Sequence, residues 1–311
     1  MSRPRVLVTG GSGFMGSAIV AALLRDSDAS VTVLDPSPPR QSRESQGRLE
    51  HLALTLEEFL ARREPGRRYD AIAHLMWSTV PATSGANVER DAVSNIVPAI
   101  RLLERCPELG VSRFVFASSG GTVYGRVQAR LVGEDHPTHP ISAYGVSKLA
   151  VEKYAALIGE ARGVRAVSLR VSNPVGLGQL HGHPIGALAR FLLETRRGRP
   201  LQVFGDGGVV RDYLSIEDVA DAFVLALTAP SLEPGAYNVG SGIGRTLNDL
   251  IELVRRVSDA PVEVRHLAPR DFDVPRIVLD ASRYRSRTGW TTRRDLAETA
   301  EGMWRALRAA V

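Results

Sequence analysis

Apolar positions in the first half of the chain fall into two alternating patterns. Short aliphatic runs at residues 6–9, 31–35, 71–75, 114–117 and 166–171 read as strands buried in a sheet. Between them, residues 14–25, 56–63, 91–105 and 143–159 repeat apolar side chains at helical spacing. Short strands alternating with helices of ~10–15 residues indicate βαβ units. The expected fold is therefore α/β, a doubly wound parallel sheet with helices on both faces. After residue 171 the turn signals multiply, at Asn173-Pro174, Gly176, Gly178, Gly198, Gly205–Gly208 and from Pro230 to Gly244. Residues 1–172 are expected to form one domain around this sheet. Residues 173–311 would form a smaller C-terminal lobe, with some segments returning to the first domain. Residues 36–48, rich in Pro, Ser and Arg, read as an exposed loop.

Composition narrows the function classes. With 311 residues, 44% of them apolar and 23% charged, the chain has the make-up of a globular enzyme, not of a disordered or fibrous protein. No run approaches the ~20 apolar residues of a membrane span. The strand pattern begins at once, which leaves no room for a signal peptide. The single cysteine, Cys106, excludes an internal disulfide, so a cytoplasmic location is expected. The formal net charge is +5, but the basic residues are dispersed and only 6% of residues are aromatic. That pattern fits an anionic small molecule better than nucleic acid. Only two lysines occur, Lys148 and Lys153, so the setting of each is informative.

Thr9-Gly10-Gly11-Ser12-Gly13-Phe14-Met15-Gly16 follows the first strand and opens the first helix. A pyrophosphate needs glycine there so that the chain can turn, the backbone can approach phosphate and the helix can pack on its strand. The helix N-terminus then offers free N–H groups and positive partial charge. Asp35 ends the second strand, where a ribose-binding carboxylate is expected. A carboxylate repels a 2′-phosphate and so favours NAD over NADP, a preference Arg40 would soften. Tyr144 and Lys148 stand four residues apart, on one helix face. A nearby ammonium is expected to lower the phenol from its usual ~10. With the glycine loop, this pair indicates hydride chemistry at a hydroxyl or carbonyl, with Tyr144 moving the proton.

At these residues the sequence resembles the extended short-chain dehydrogenases/reductases, an NAD-dependent epimerase/dehydratase family, and within it the nucleotide-sugar 4-epimerases. The marks are the glycine loop, His74-Leu75-Met76-Trp77, Asn95, Ser118-Ser-Gly-Gly-Thr-Val-Tyr-Gly125 and the Tyr144–Lys148 pair. Further marks are Asn173-Pro-Val-Gly176, Gly205–Tyr213, Tyr237–Ser241, and Arg270 followed by Asp273. The resemblance implies a Rossmann-type sheet, bound NAD and a homodimer built on the helices at 91–105 and 143–159. It implies that Tyr144 takes the proton of the sugar 4-hydroxyl and that Lys148 holds the nicotinamide ribose. Gly10, Gly13, Phe14, Met15, Gly16, Asp35, Leu75, Asn95 and Ser118 would contact the cofactor. Asn173, Arg211, Arg270 and Asp273 would hold the nucleotide diphosphate, and Trp77 would border the sugar.

The sequence departs from that family at Gly120, where members carry the Ser or Thr that binds the sugar 4-oxygen. Thr122 is the preferred replacement, with Ser119 as the alternative, and Gly120→Ser is expected to be tolerated or to change sugar preference. No carboxylate accompanies Thr122, which argues for epimerisation over 4,6-dehydration. Trp77 replaces a small residue and Thr79 a position that can hold lysine. His181 and His183 read as loop residues, so no metal site is expected. Glu134-Asp135 reads as a solvated turn and Arg196–Arg199 as an exposed helix end. The alternative activities are a 4-ketoreductase or dehydrogenase with net use of the cofactor, and a non-catalytic dinucleotide-binding sensor.

Overall fold

A computed structural model describes residues 3–39, 47–64, 66–81, 83–180, 186–269 and 274–309. The first half builds β1 (Arg5–Thr9), α1 (Phe14–Asp26), β2 (Ser30–Leu34), β3 (Leu49–Leu52), α2 (Leu56–Arg62) and β4 (Ala71–His74). It continues through α3 (Val88–Arg105), β5 (Arg113–Ser119), α4 (Ala143–Arg162) and β6 (Arg165–Val171). The second half holds β7 (Asn173–Val175), α5 (Ala187–Arg196), β8 (Leu201–Phe204), β9 (Val210–Ser215), α6 (Ile216–Thr228) and β10 (Gly235–Val239). Last come β11 (Gly244–Thr246), α7 (Leu247–Ser258), β12 (Val264–Leu267), β13 (Arg276–Ile277), α8 (Ser282–Thr288) and α9 (Leu296–Ala309).

Seven parallel strands form the central sheet in the order β10-β6-β5-β4-β1-β2-β3. In all of them but the edge strand β3 the Val, Leu and Ile side chains are buried on both faces, as helix-covered parallel strands require. Ile19, Val20, Leu23, Val219 and Phe223 of α1 and α6 cover one face. Phe59, Leu102, Leu103 and Val151 of α2, α3 and α4 cover the other. β1 is flanked by β2 on one side and β4 on the other, so the connections leave it in opposite directions. A crevice opens at such a switch point, beyond the carboxyl ends of the strands. Gly10–Gly16 and Leu75–Trp77 are the segments that leave β1 and β4 there.

Two helices extend beyond the periodic pattern. α3 begins at Val88 because Asn87 Oδ1 accepts from Arg90 N at 2.7 Å, a cap that apolar spacing does not reveal. α4 runs on to Arg162, where Gly163 closes it in the left-handed region at φ +68°. Beyond Asn173, β10 joins the main sheet beside β6 and α6 packs against α1. The remaining segments build a separate small body. In it β11-β9-β13 with β7, and β8 with β12, lie against α5, α7 and α9 around Leu192, Leu250, Met303 and Trp304.

The expected solvated turn at Glu134-Asp135 is corrected at its first residue. Glu134 is enclosed and its carboxylate accepts from Asn238 N at 2.9 Å, whereas Asp135 is exposed and pairs with Arg283. Cys106 is buried, and burial pushes its thiol up to about 12. Arg196–Arg199 is exposed at the end of α5. Among the described residues no helix is long and apolar enough to cross a membrane.

Candidate active site

Three glycines set the shape of the loop after β1. Gly10 turns with φ +73°, and a Cβ there would lie 2.7 Å from Met76 N. A Cβ at Gly16 would lie 2.1 Å from Gly10 O, so α1 sits directly on the loop. Gly13, the residue before α1, offers no side-chain cap, and no acidic residue stands in the first turn. By contrast, α2, α3, α4, α6 and α7 are capped by Thr55, Asn87, Ser142, Ser215 and Thr246. The first-turn N–H groups of a helix have no intrahelical partners. Here Gly10, Gly13, Phe14, Met15 and Gly16 line a cavity of about 600 Å³, which fits an anion such as a pyrophosphate. Asp35 is tied to the same loop, its carboxylate accepting from Ser12 N at 3.2 Å and Ser37 N at 2.9 Å. Arg40 lies outside the described residues.

Tyr144 and Lys148 project from the first turns of α4 into the same cavity. Gly145 allows this approach, since a Cβ there would meet Thr122 O at 2.7 Å. Lys148 Nζ donates to Ala117 O at 2.8 Å and lies 3.6 Å from the centre of the Trp77 ring. Burial lowers the Lys148 ammonium well below its usual range, against the pull of Asp91 and Glu152. The expected lowering of Tyr144 is not what the geometry gives. Burial raises its phenol, and the Asp91 carboxylate raises it further. The reason is orientation, because the lysine ammonium is aimed at Ala117 and Trp77, 5.5 Å from the phenol ring centre.

Asp91 escaped the sequence reading. It is fully buried on α3, where Ser147, Thr79 and Asn95 Nδ2 donate to its carboxylate. Asn95 also accepts from Ser78 N at 2.9 Å. Asn95 therefore braces the segment after β4 from behind, whereas Leu75 and Trp77 line the cavity. Near-complete burial of an Asp on a helix otherwise read as amphipathic was the available signal, and it is visible only in the structure.

Strand alternation separates the two hydroxyls at the end of β5. Ser118 also borders the cavity, but its hydroxyl donates to the buried Glu152. Ser119 and Thr122 line the cavity, and Thr122 Oγ1 is buried with no hydrogen-bond partner among the described residues. The expected tolerance of Gly120→Ser is corrected. A Cβ at Gly120 would lie 2.4 Å from Leu279 Cδ1 and 3.0 Å from Arg170 O, in packed protein away from the cavity. Gly120 therefore makes no room for a larger sugar.

The cavity continues toward the second body through Asn173, Pro174, Gln179 and Arg211, residues shared with an adjoining pocket of about 170 Å³. Asn173 Nδ2 donates to Asp212 O at 3.0 Å, and Arg211 is anchored on Val210 O and Val274 O. Gln179, also unforeseen, is buried and bridges Gly176 N and Pro174 O. Arg270, Asp273, His181 and His183 lie outside the described residues. Among those described, no three His, Cys, Asp or Glu side chains group as metal ligands.

Comparison with known proteins agrees with this geometry. The shared pattern of the NAD dependent epimerase/dehydratase family matches residues 6–240. A UDP-glucose 4-epimerase of Azospirillum brasilense is 33% identical over 310 residues, covering 94% of this chain and 88% of its own. The crystal structure of Thermus thermophilus UDP-glucose 4-epimerase in complex with NAD is 35% identical. It superimposes with a TM-score of 0.87 over 99% of this chain and 100% of that one. The Thermotoga maritima UDP-glucose 4-epimerase with UDP-glucose gives 0.89 at 31% identity, over 98% and 99%. Matched across most of its length and built around the same Rossmann-type sheet, this chain belongs to the NAD dependent epimerase/dehydratase family.

Proposed function

We propose that this protein interconverts C4 epimers of a nucleotide-diphosphate sugar, with a uridine nucleotide as the carrier, using tightly bound NAD. The observation that carries this reading is one continuous cavity. It runs from the uncapped glycine loop, past Tyr144, Lys148 and Thr122, to Asn173 and Arg211. Its first part suits a dinucleotide and its last an anionic nucleotide, with the proton-handling groups between them.

Bound NAD would supply reversible hydride transfer. The chain's own residues would do the rest. The α1 N-terminus with Gly10, Gly13 and Gly16 would hold the pyrophosphate, Asp35 would accept from the ribose, and Leu75 would border the cofactor. Lys148 would hold the nicotinamide ribose. Tyr144 accepts the proton of the sugar 4-hydroxyl and gives it back to the opposite epimer. Thr122 donates to the 4-oxygen as negative charge develops there, with Ser119 the second candidate. Asn173 and Arg211 would hold the diphosphate, a guanidinium being suited to paired phosphate oxygens.

The decisive experiment is incubation with a panel of UDP- and dTDP-sugars and separation of the products. Interconversion of one 4-epimeric pair without added cofactor, by protein that copurifies with NAD, is the expected result. Net consumption of reduced cofactor would assign a 4-ketoreductase instead.

The protein also works as a homodimer in the reducing cytoplasm. Val93 and Val97 on α3, with Val146 and Leu157 on α4, leave exposed apolar side chains on two adjacent helices. The single buried cysteine supports the reducing compartment.

A further inference from the structure

Trp77 touches both reacting side chains. Its ring lies 3.6 Å from Lys148 Nζ and packs edge-on to Tyr144 at 6.0 Å between centres. Phe116 and Tyr144 are more distant from the ammonium, at 4.9 and 5.5 Å. Lys148 is only 3% exposed, so water does not solvate its charge. Ala117 O is one partner. The acidic groups that act on it, Asp91 on α3 and Glu152 on α4, are committed elsewhere. Asp91 takes Ser147, Thr79 and Asn95, while Glu152 takes Ser118 and the guanidinium of Arg170. His74 on β4, the remaining titratable neighbour, brings no positive charge, because burial and Lys148 depress it to about 3. An enclosed ammonium with so few anionic contacts needs another source of negative potential, and a tryptophan face is the strongest that an aromatic side chain offers.

We propose that Trp77 is a positioning residue for the reaction: its indole face keeps the Lys148 ammonium charged and sets where it stands relative to Tyr144. The proposal deepens the reading of Tyr144 and Lys148 as the reacting pair, and rests on it for its consequence in turnover. Trp77 itself exchanges no proton or hydride. Without it, Lys148 would lose its charge at lower pH and Tyr144 would lose its neighbouring cation.

The chain's two lysines make the test direct. Protein labelled with carbon-13 at lysine Cε gives two resonances, from Lys148 and from the exposed Lys153, each reporting its own protonation. Lys148→Arg assigns them. Trp77→Leu is expected to lower the Lys148 midpoint by at least about one pH unit, the tenfold effect of a desolvated cation–π contact. Trp77→Phe should lie between, and Lys153 should not move. Since Trp77→Leu also disturbs packing on Phe116, the second measurement uses the full protein grown on ring-fluorinated tryptophan. Fluorine withdraws charge from the π face with little change of shape, and Trp290 and Trp304 sit in other core clusters. A lowered Lys148 midpoint there supports the proposal, and the alkaline limb of kcat should move down with it. An unchanged midpoint in folded, fluorinated protein overturns it. Should the midpoint fall in a protein that epimerises no sugar, the catalytic reading fails while the role of Trp77 stands.

Discussion

Tyr144 works against its surroundings. Burial and the Asp91 carboxylate both oppose its phenolate, so releasing the proton near neutral pH requires positive charge close by. Tyr144→Phe removes only the phenolic oxygen. Turnover is expected to fall ~10²–10⁴-fold or more, with NAD binding by calorimetry unchanged. At Thr122 the buried, unpaired hydroxyl makes a sharper prediction. Thr122→Val should lower kcat by ~10²-fold, the loss of one transition-state donor, while the thermal midpoint stays or rises. If Ser119→Ala takes that loss instead, the donor is Ser119. His74 governs a pH dependence of stability. Its ring accepts or donates at Thr9 Oγ1 within a wall of Phe114 and Phe116, and burial depresses it from 6.5 to about 3. Between those values the unfolded chain binds a proton that the folded chain refuses, so stability falls as pH falls. Each unit below about 6.5 costs ~1.4 kcal/mol, hence ~2 kcal/mol at pH 5. The thermal midpoint should drop less between pH 7 and pH 5 in His74→Leu than in the parent protein.

At the scale of elements, α4 is held to the sheet by charge as well as by apolar packing. Glu152, one turn beyond Lys148, pairs with Arg170 of β6 at 2.7 Å and accepts from Ser118 of β5. Arg170 also donates to Tyr124, whose hydroxyl donates to Asn238 of β10. Strands β5, β6 and β10 are thereby tied to the helix that carries the reacting pair. Side chains of Glu152 and Arg170 are 5% and 6% exposed, so neither charge is solvated if its partner is lost. Arg170→Met should cost ~3–5 kcal/mol by urea unfolding. Adding Glu152→Leu should restore most of it, because the isolated carboxylate is then gone. A double variant no more stable than Arg170→Met would place the cost in packing.

On the scale of the whole molecule, the proposed dimer would cover the exposed apolar side chains of α3 and α4. Val93, Val146 and Leu157 are more than half exposed on these two adjacent helices. Light scattering at micromolar concentration should therefore give about twice the chain mass. Val93→Glu with Leu157→Glu should give monomers, because two charges per copy would then be desolvated in the interface. A dimer that survives both changes would lie on another face.

Sequence alone determined what depends on neighbours along the chain. Aliphatic runs separated by helical repeats dictated the parallel sheet, because each strand must be covered on both faces. Glycine spacing dictated the phosphate loop, because only glycine accepts the left-handed turn at Gly10 and the contact of Gly16 with Gly10 O. A separation of four residues put Tyr144 and Lys148 on one face of α4. Tertiary structure decided whatever depends on direction or on distant partners. Adjacent hydroxyls on a strand end point to opposite sides, so Ser118 turns to Glu152 while Ser119 meets the cavity. Gly120 packs under Leu279, a contact that no local pattern contains. Whether Lys148 faces a phenol, a carboxylate or an indole follows from how β4, α3 and α4 come together. The balance between desolvation and neighbouring charge at Tyr144 and Lys148 is set there, in the packed interior, because an electrostatic energy depends on distance and burial and not on residue order.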